Sequence, residues 1–152
     1  TNDAYHMTAP RADGADAARA ITLALSDSGL TASDIDYVSA HATGTPLGDA
    51  AEACALLRGL GSRGRDVHVS GTKGLHGHAL GASGAIEAAI TVLALARGFL
   101  PGTTNLRSPD QDCRLNLVPA EGIDVSVRAA ISTSFGFGGA NAALVLRAMQ
   151  PD

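Results

Sequence analysis

Tryptophan is absent from the 152-residue chain, and its aromatic residues, three Phe and two Tyr, make up only 3% of it. A surface that binds nucleic acid by base stacking is therefore poorly supplied. No basic excess compensates. Eleven Lys and Arg stand against 15 Asp and Glu, for a net charge of −4, so nucleic acid is not an expected partner. Two cysteines, Cys54 and Cys113, are too few for a disulfide framework, which points to a reducing, cytoplasmic setting. Long hydrophobic runs are also missing. The most apolar stretch, Ile86 to Leu95, is about one helix of a soluble core, so no membrane association is expected. The start, TNDAYHMTAP, has neither the basic nor the apolar region of a signal peptide and no initiator Met. It reads as a processed end or as the first residue of something longer.

Apolar residues reach 45% of the chain and glycine numbers 18, which suits a packed domain with close backbone approaches. The length supports one compact domain, and no linker, repeat or low-complexity tract divides residues 1–152. Helical spacing runs from Asp16 to Ser28 and stops at Gly29. A short apolar strand, Tyr37 to Ala40, leads into the loop HATGTPLG, after which Asp49 opens a helix through Leu60. The pattern repeats: a strand from Val67 to Gly71, a glycine-rich loop, then a helix from about Ala82 to Arg97. Leu115 to Val118 reads as an edge strand. Ala129 to Ser134 and Ala142 to Leu146 read as two more strands joined by a tight GFGGAN turn. This order predicts an α/β domain with a mixed sheet. Ligands in such sheets bind beyond the carboxyl ends of the strands, here His41–Gly48, Thr72–Gly84 and Phe135–Asn141.

Those segments hold the chemistry. His41 and His78 each follow a strand in a glycine-rich loop, and a pair so placed can offer two N–H donors to one oxygen, as an enolate or oxyanion requires. Each taken alone also fits a buried histidine satisfied by a backbone carbonyl. Lys73 precedes His78, and Glu87 is the one acidic residue between Val67 and Leu100. A buried Lys must pair with a carboxylate or lose its charge, so the two either form an ion pair or stand apart on the surface. The glycines of Gly136–Gly139 lie between strands rather than before a helix, which argues against a dinucleotide loop. They fit a tight hairpin or an oxyanion hole of backbone N–H groups. His76, His78, His41 and Asp49 make a metal set on paper only; nothing else has ligand spacing, and no metal is expected.

Together these segments resemble one family. HATGTPLGD at 41–49 is similar to the histidine loop of the β-ketoacyl synthases, and TKGLHGHALGASGAIEA at 72–88 to their lysine–histidine segment. SFGFGGAN at 134–141 resembles their C-terminal glycine turn. NDAYHMTAP and PGTTNLRSPD resemble the acyl-carrier-protein elongating type. The resemblance implies the C-terminal half of a thiolase fold: a mixed five-stranded sheet with helices, one part of an αβαβα layered core. It also implies a decarboxylative Claisen condensation. A cysteine takes the acyl chain as a thioester, malonyl-carrier protein loses carbon dioxide, and His41 and His78 stabilise the enolate oxygen. By the same match Lys73 holds the second loop through Glu87. Thr43 and Thr45 hydrogen-bond the phosphopantetheine arm of the carrier protein. The backbone N–H of Phe135 completes the oxyanion hole while its ring gates the acyl pocket, and Phe137 lines the substrate path. No separate cofactor is implied.

Three departures stand out. Ala42 replaces the usual glycine after the first histidine, and His76 occupies a position that more often carries a small or polar residue. Neither Cys54 nor Cys113 falls where the nucleophile belongs. The expected partners are therefore an N-terminal ketosynthase half bearing that cysteine, an acyl carrier protein, and a second copy of the assembled enzyme in a dimer. The alternatives are a catalytically silent chain-length-factor-like subunit and a small nucleotide-binding module. The first often loses the histidines kept here, and the second needs a strand-to-helix glycine loop.

Overall fold

The structure, a computed structural model, describes residues 1–111 and 113–149. Helix α1 (Ala15–Ser28) turns its apolar stripe, Ala17, Ala18, Ile21 and Leu25, inward and ends at Gly29 in a left-handed conformation. Strand β1 (Tyr37–Ser39) follows a 3-10 turn. Helix α2 (Pro46–Leu60) begins earlier than the sequence reading placed it: Thr45 is its N-cap, and Pro46 stands in the first turn, where its missing N–H costs nothing. Asp49 is thus a first-turn carboxylate rather than the residue that opens the helix. Strand β2 (His68–Ser70), the single turn α3 (Lys73–His76) and helix α4 (Ser83–Arg97) complete the second repeat.

Four strands, β1, β2, β6 (Ala129–Phe135) and β7 (Asn141–Arg147), join the edge strand β4 (Asn116–Leu117) in a sheet ordered β4-β2-β1-β6-β7. The first four run parallel and β7 is antiparallel to β6, so the sheet is mixed. Two-residue strands β3 (Phe99–Leu100) and β5 (Ile123–Asp124) pair separately. The sequence predicts no strand at either position.

Side-chain alternation along the strands divides the core. Val38, Val69 and Ile131 pack with Ile21, Leu25 and Leu56 of α1 and α2. Tyr37 and Ala130 pack with Ala94 of α4 on the opposite face. The result is a sheet between two helical layers.

Helix α4 is inverted relative to an ordinary amphipathic helix. Its buried stripe is Ser83, Glu87, Thr91 and Ala94, at spacings of four, four and three. Val92 and Leu93, on the outer side, are about half exposed. The sequence puts Ala, Ile, Val and Leu around nearly the whole circumference of this helix. In this chain the covered side holds three polar residues beside Ala94, and Glu87 among them is the partner of a buried lysine. The stretch Leu80–Arg97, 18 residues of mean hydropathy 1.4, also has the length and composition to cross a membrane, contrary to the expectation from the sequence. That expectation counted only the uninterrupted apolar run. Glu87, buried against the sheet side, gives the stretch the packing of a helix laid on a sheet.

Candidate functional site

Strands β2, β1 and β6 are parallel neighbours in register, with Ser39 opposite both Ser70 and Ser132. Their carboxyl ends therefore deliver Lys73, His41 and Phe135 to one edge of the sheet. His78 reaches the same place because Gly77, at φ 79°, turns the chain back after α3. The rings of His41 and His78 lie with centroids 5.5 Å apart and nearly perpendicular, and the Phe135 ring is 5.8 Å from His41.

The His41 loop is held from beneath by a residue the sequence reading did not single out. Glu52, buried in α2, accepts the backbone N–H of His41 at 2.9 Å and of Ala42 at 2.7 Å, and the hydroxyl of Thr133 at 2.7 Å. Burial pushes its carboxyl above the usual range, against the pull of those donors. Its helical neighbours Ala51, Ala53 and Ala55 are buried with it. Ala42 takes a positive φ of 35°, the left-handed region its replaced glycine would favour. Its methyl group is accommodated because residue 71 is glycine: a Cβ there would stand 2.4 Å from that of Ala42.

Lys73 and Glu87 form a buried ion pair, with side chains 4% and 0% exposed. The Lys73 ammonium also donates to the His41 carbonyl and lies 3.4 Å from His41 Nδ1. The pair thus ties α4 to both loops. Thr103 accepts the Gly71 N–H at 3.1 Å, so the PGTTN segment braces the lysine loop. Ser83 Oγ is 2.8 Å from His78 Nδ1, and Thr72 Oγ1 is 3.1 Å from His76 Nε2.

Burial, then the nearby charges of Lys73 and His78, lower the His41 pKa to about 4. His41 is therefore neutral at physiological pH. With an ammonium facing Nδ1, the ring proton belongs on Nε2, leaving a donor for an oxygen in the cleft.

Thr43 and Thr45 line the lip of the site with hydroxyls 3.1 Å apart, and Thr45 also accepts the Gly48 N–H as the α2 cap. In the glycine turn, Gly136 N–H pairs with Ala140 across the β6–β7 ladder. Alternation in that ladder directs the Phe135 N–H away from β7, toward the β1 side. The ring of Phe135, however, packs on Ala17, Ala18 and Ala55 and beside His41. A ring packed in this way is a less favourable gate than an exposed one. Phe137 is the free ring, 76% exposed between Gly136 and the positive-φ pair Gly138 and Gly139. Asp3 anchors this turn: its N–H reaches the Gly139 carbonyl at 2.8 Å, and its carboxylate accepts Asn141 Nδ2.

Among the described residues no group of three or more His, Cys, Asp or Glu could hold a metal ion. Cys54 is exposed on α2. Burial and the carboxylates of Asp49, Asp110 and Glu52 push the Cys113 thiol up, away from the thiolate a nucleophile needs.

A parallel-centred α/β sheet carrying a histidine pair and a lysine–glutamate clamp at its strand ends defines a thiolase-like domain. Residues 1–107 match the model of the β-ketoacyl synthase C-terminal domain, and the chain belongs to the β-ketoacyl synthase family. It is 47% identical over 150 residues to 3-oxoacyl-[acyl-carrier-protein] synthase 2 of Synechocystis, covering 99% of this chain and 36% of that protein. It is 45% identical over 145 residues to the actinorhodin polyketide putative β-ketoacyl synthase 1 of Streptomyces coelicolor, covering 95% and 31%. A type II polyketide synthase acyl-carrier protein in complex with its ketosynthase bound to the hexaketide superposes with a TM-score of 0.96. The identity there is 35%, over 99% of this chain and 37% of that one. The chain thus spans about a third of the length of the relatives it matches.

Proposed function

We propose that this chain supplies the two oxygen-binding histidines of a β-ketoacyl synthase that elongates acyl chains on an acyl carrier protein by decarboxylative Claisen condensation. The observation that carries the reading is the placement of the His41 and His78 rings 5.5 Å apart at the strand ends, with His41 held neutral over Lys73. When malonyl-carrier protein loses carbon dioxide, negative charge collects on the thioester oxygen. The N–H groups of the two rings stabilise that enolate by hydrogen bonding. The enolate carbon then attacks the acyl thioester of a cysteine, whose thiolate leaves as the new carbon–carbon bond forms.

That cysteine lies in an N-terminal ketosynthase half, and the apolar outer face of α4 is the surface that half covers. Thr43 and Thr45 meet the phosphopantetheine arm, the Phe135 N–H faces the oxyanion, and Phe137 is the gate. The retained histidines and Lys73 favour catalysis over a silent chain-length-factor role. The assembled enzyme works as a dimer. Elongation of fatty acids and of polyketides both fit.

The test is a structure of the complete enzyme with a non-decarboxylating malonyl thioester analogue. The thioester oxygen is expected within about 2.7–3.2 Å of a nitrogen of both His41 and His78. An oxygen that reaches neither ring would sink the mechanism.

A further inference from the structure

We infer that Ser83 is a positioning residue that fixes the tautomer of His78. Ser83 opens α4 and is 2% exposed, and its hydroxyl lies 2.8 Å from His78 Nδ1. Two arrangements fit that distance. In one the hydroxyl donates to Nδ1, and the neutral ring carries its proton on Nε2. In the other Nδ1–H donates to the hydroxyl, and Nε2 becomes an acceptor.

The surroundings choose between them. Among the described residues the Ser83 hydroxyl has no other hydrogen-bond partner. A helical serine often donates to the carbonyl four residues back, but the Ser83 hydroxyl makes no hydrogen bond to the Ala79 carbonyl, which accepts the N–H of Ala82. Were Nδ1 to donate, the buried Ser83 O–H would have no acceptor, and burying an unsatisfied donor carries a desolvation penalty. The hydroxyl therefore donates to Nδ1, and Nε2–H is left to face the cleft. This matches the arrangement that Lys73 imposes on His41, by a separate device. Both rings then present N–H groups to the same oxygen, and an acceptor on either would repel it. The tight turn around Gly77 and the first residue of α4 make this contact between residues only five apart.

The inference rests on the reading of His78 as an oxygen donor. It is tested in the complete ketosynthase containing this segment, labelled with 15N-histidine, with His78 assigned from a His78→Gln variant. The wild type is expected to show Nδ1 unprotonated and Nε2 protonated. In Ser83→Ala the Nδ1–H tautomer is expected to become populated, with decarboxylation of malonyl-carrier protein reduced about 3- to 10-fold, the scale of one neutral hydrogen bond. Its KM should not change, and Ser83→Thr, which keeps the hydroxyl, should retain both wild-type properties. The inference is overturned if Ser83→Ala leaves the His78 tautomer and the rate unchanged, or if Ser83→Thr behaves like Ser83→Ala. The tautomer readout does not depend on turnover. It scores the hydrogen bond even if His78→Gln leaves decarboxylation intact, an outcome that would sink the functional reading instead.

Discussion

At Ala42 the backbone holds φ 35° while carrying a side chain, and its methyl fills the space that glycine leaves at position 71. Gly71→Ala alone places two methyl carbons in collision and is expected to cost about 1–3 kcal/mol. In an Ala42→Gly background the same change should be nearly neutral. Thermal denaturation of the four members of that cycle measures the coupling; additive effects would show that the two positions do not touch. His41 supplies a second expectation at this scale. Its imidazole should titrate with a midpoint of about 4 by NMR. Because the unfolded histidine takes up its proton near 6.5, lowering the pH from there toward 4 removes stability at this residue. Lys73→Met should raise the midpoint only part of the way, since burial is the larger cause. A midpoint near 6.5 in the intact protein would contradict the buried, lysine-flanked setting.

Helix α4 shows at the element scale what the sequence made legible and what it hid. The strands β1, β2 and β6 were readable because short apolar runs break into glycine-rich loops, and those loops carry His41, Lys73, His78 and Phe135. The possible pairing of Lys73 with Glu87 was readable because one carboxylate stands alone in an apolar helix. Its orientation was not. Periodicity assigns apolar residues to the core, yet a buried lysine draws Glu87, and with it Ser83 and Thr91, to the covered side. The start of α2 was hidden because Thr45 and Pro46 also read as loop. Glu52 was hidden because nothing in a helical pattern distinguishes a solvated glutamate from one bonded to two backbone amides. Glu87→Ala should lower stability by about 3–5 kcal/mol, because it leaves the Lys73 charge buried without its partner. An unchanged melting temperature would contradict the pair.

For the whole molecule, the outer face of α4 is decisive. Ala85, Ala89, Val92, Leu93 and Ala96 are exposed on it, and neighbouring Leu75 and Leu80 are more than 70% exposed. An exposed apolar face of this kind marks an interaction surface. The proposed site has the same incompleteness: it has donors for an oxyanion and a clamp for its loops, while Cys54 and Cys113 offer no nucleophile beside the histidines. The proposed cysteine-bearing N-terminal half would supply both the cover and the nucleophile. The most direct measurement is condensation of malonyl-carrier protein with an acyl thioester by residues 1–152 co-expressed with that half. Product is expected only when both are present, and no detectable product when this chain carries His41→Ala or His78→Ala in a complex that still assembles. Product from this chain alone, or from the assembled histidine variants at the wild-type rate, would contradict the account.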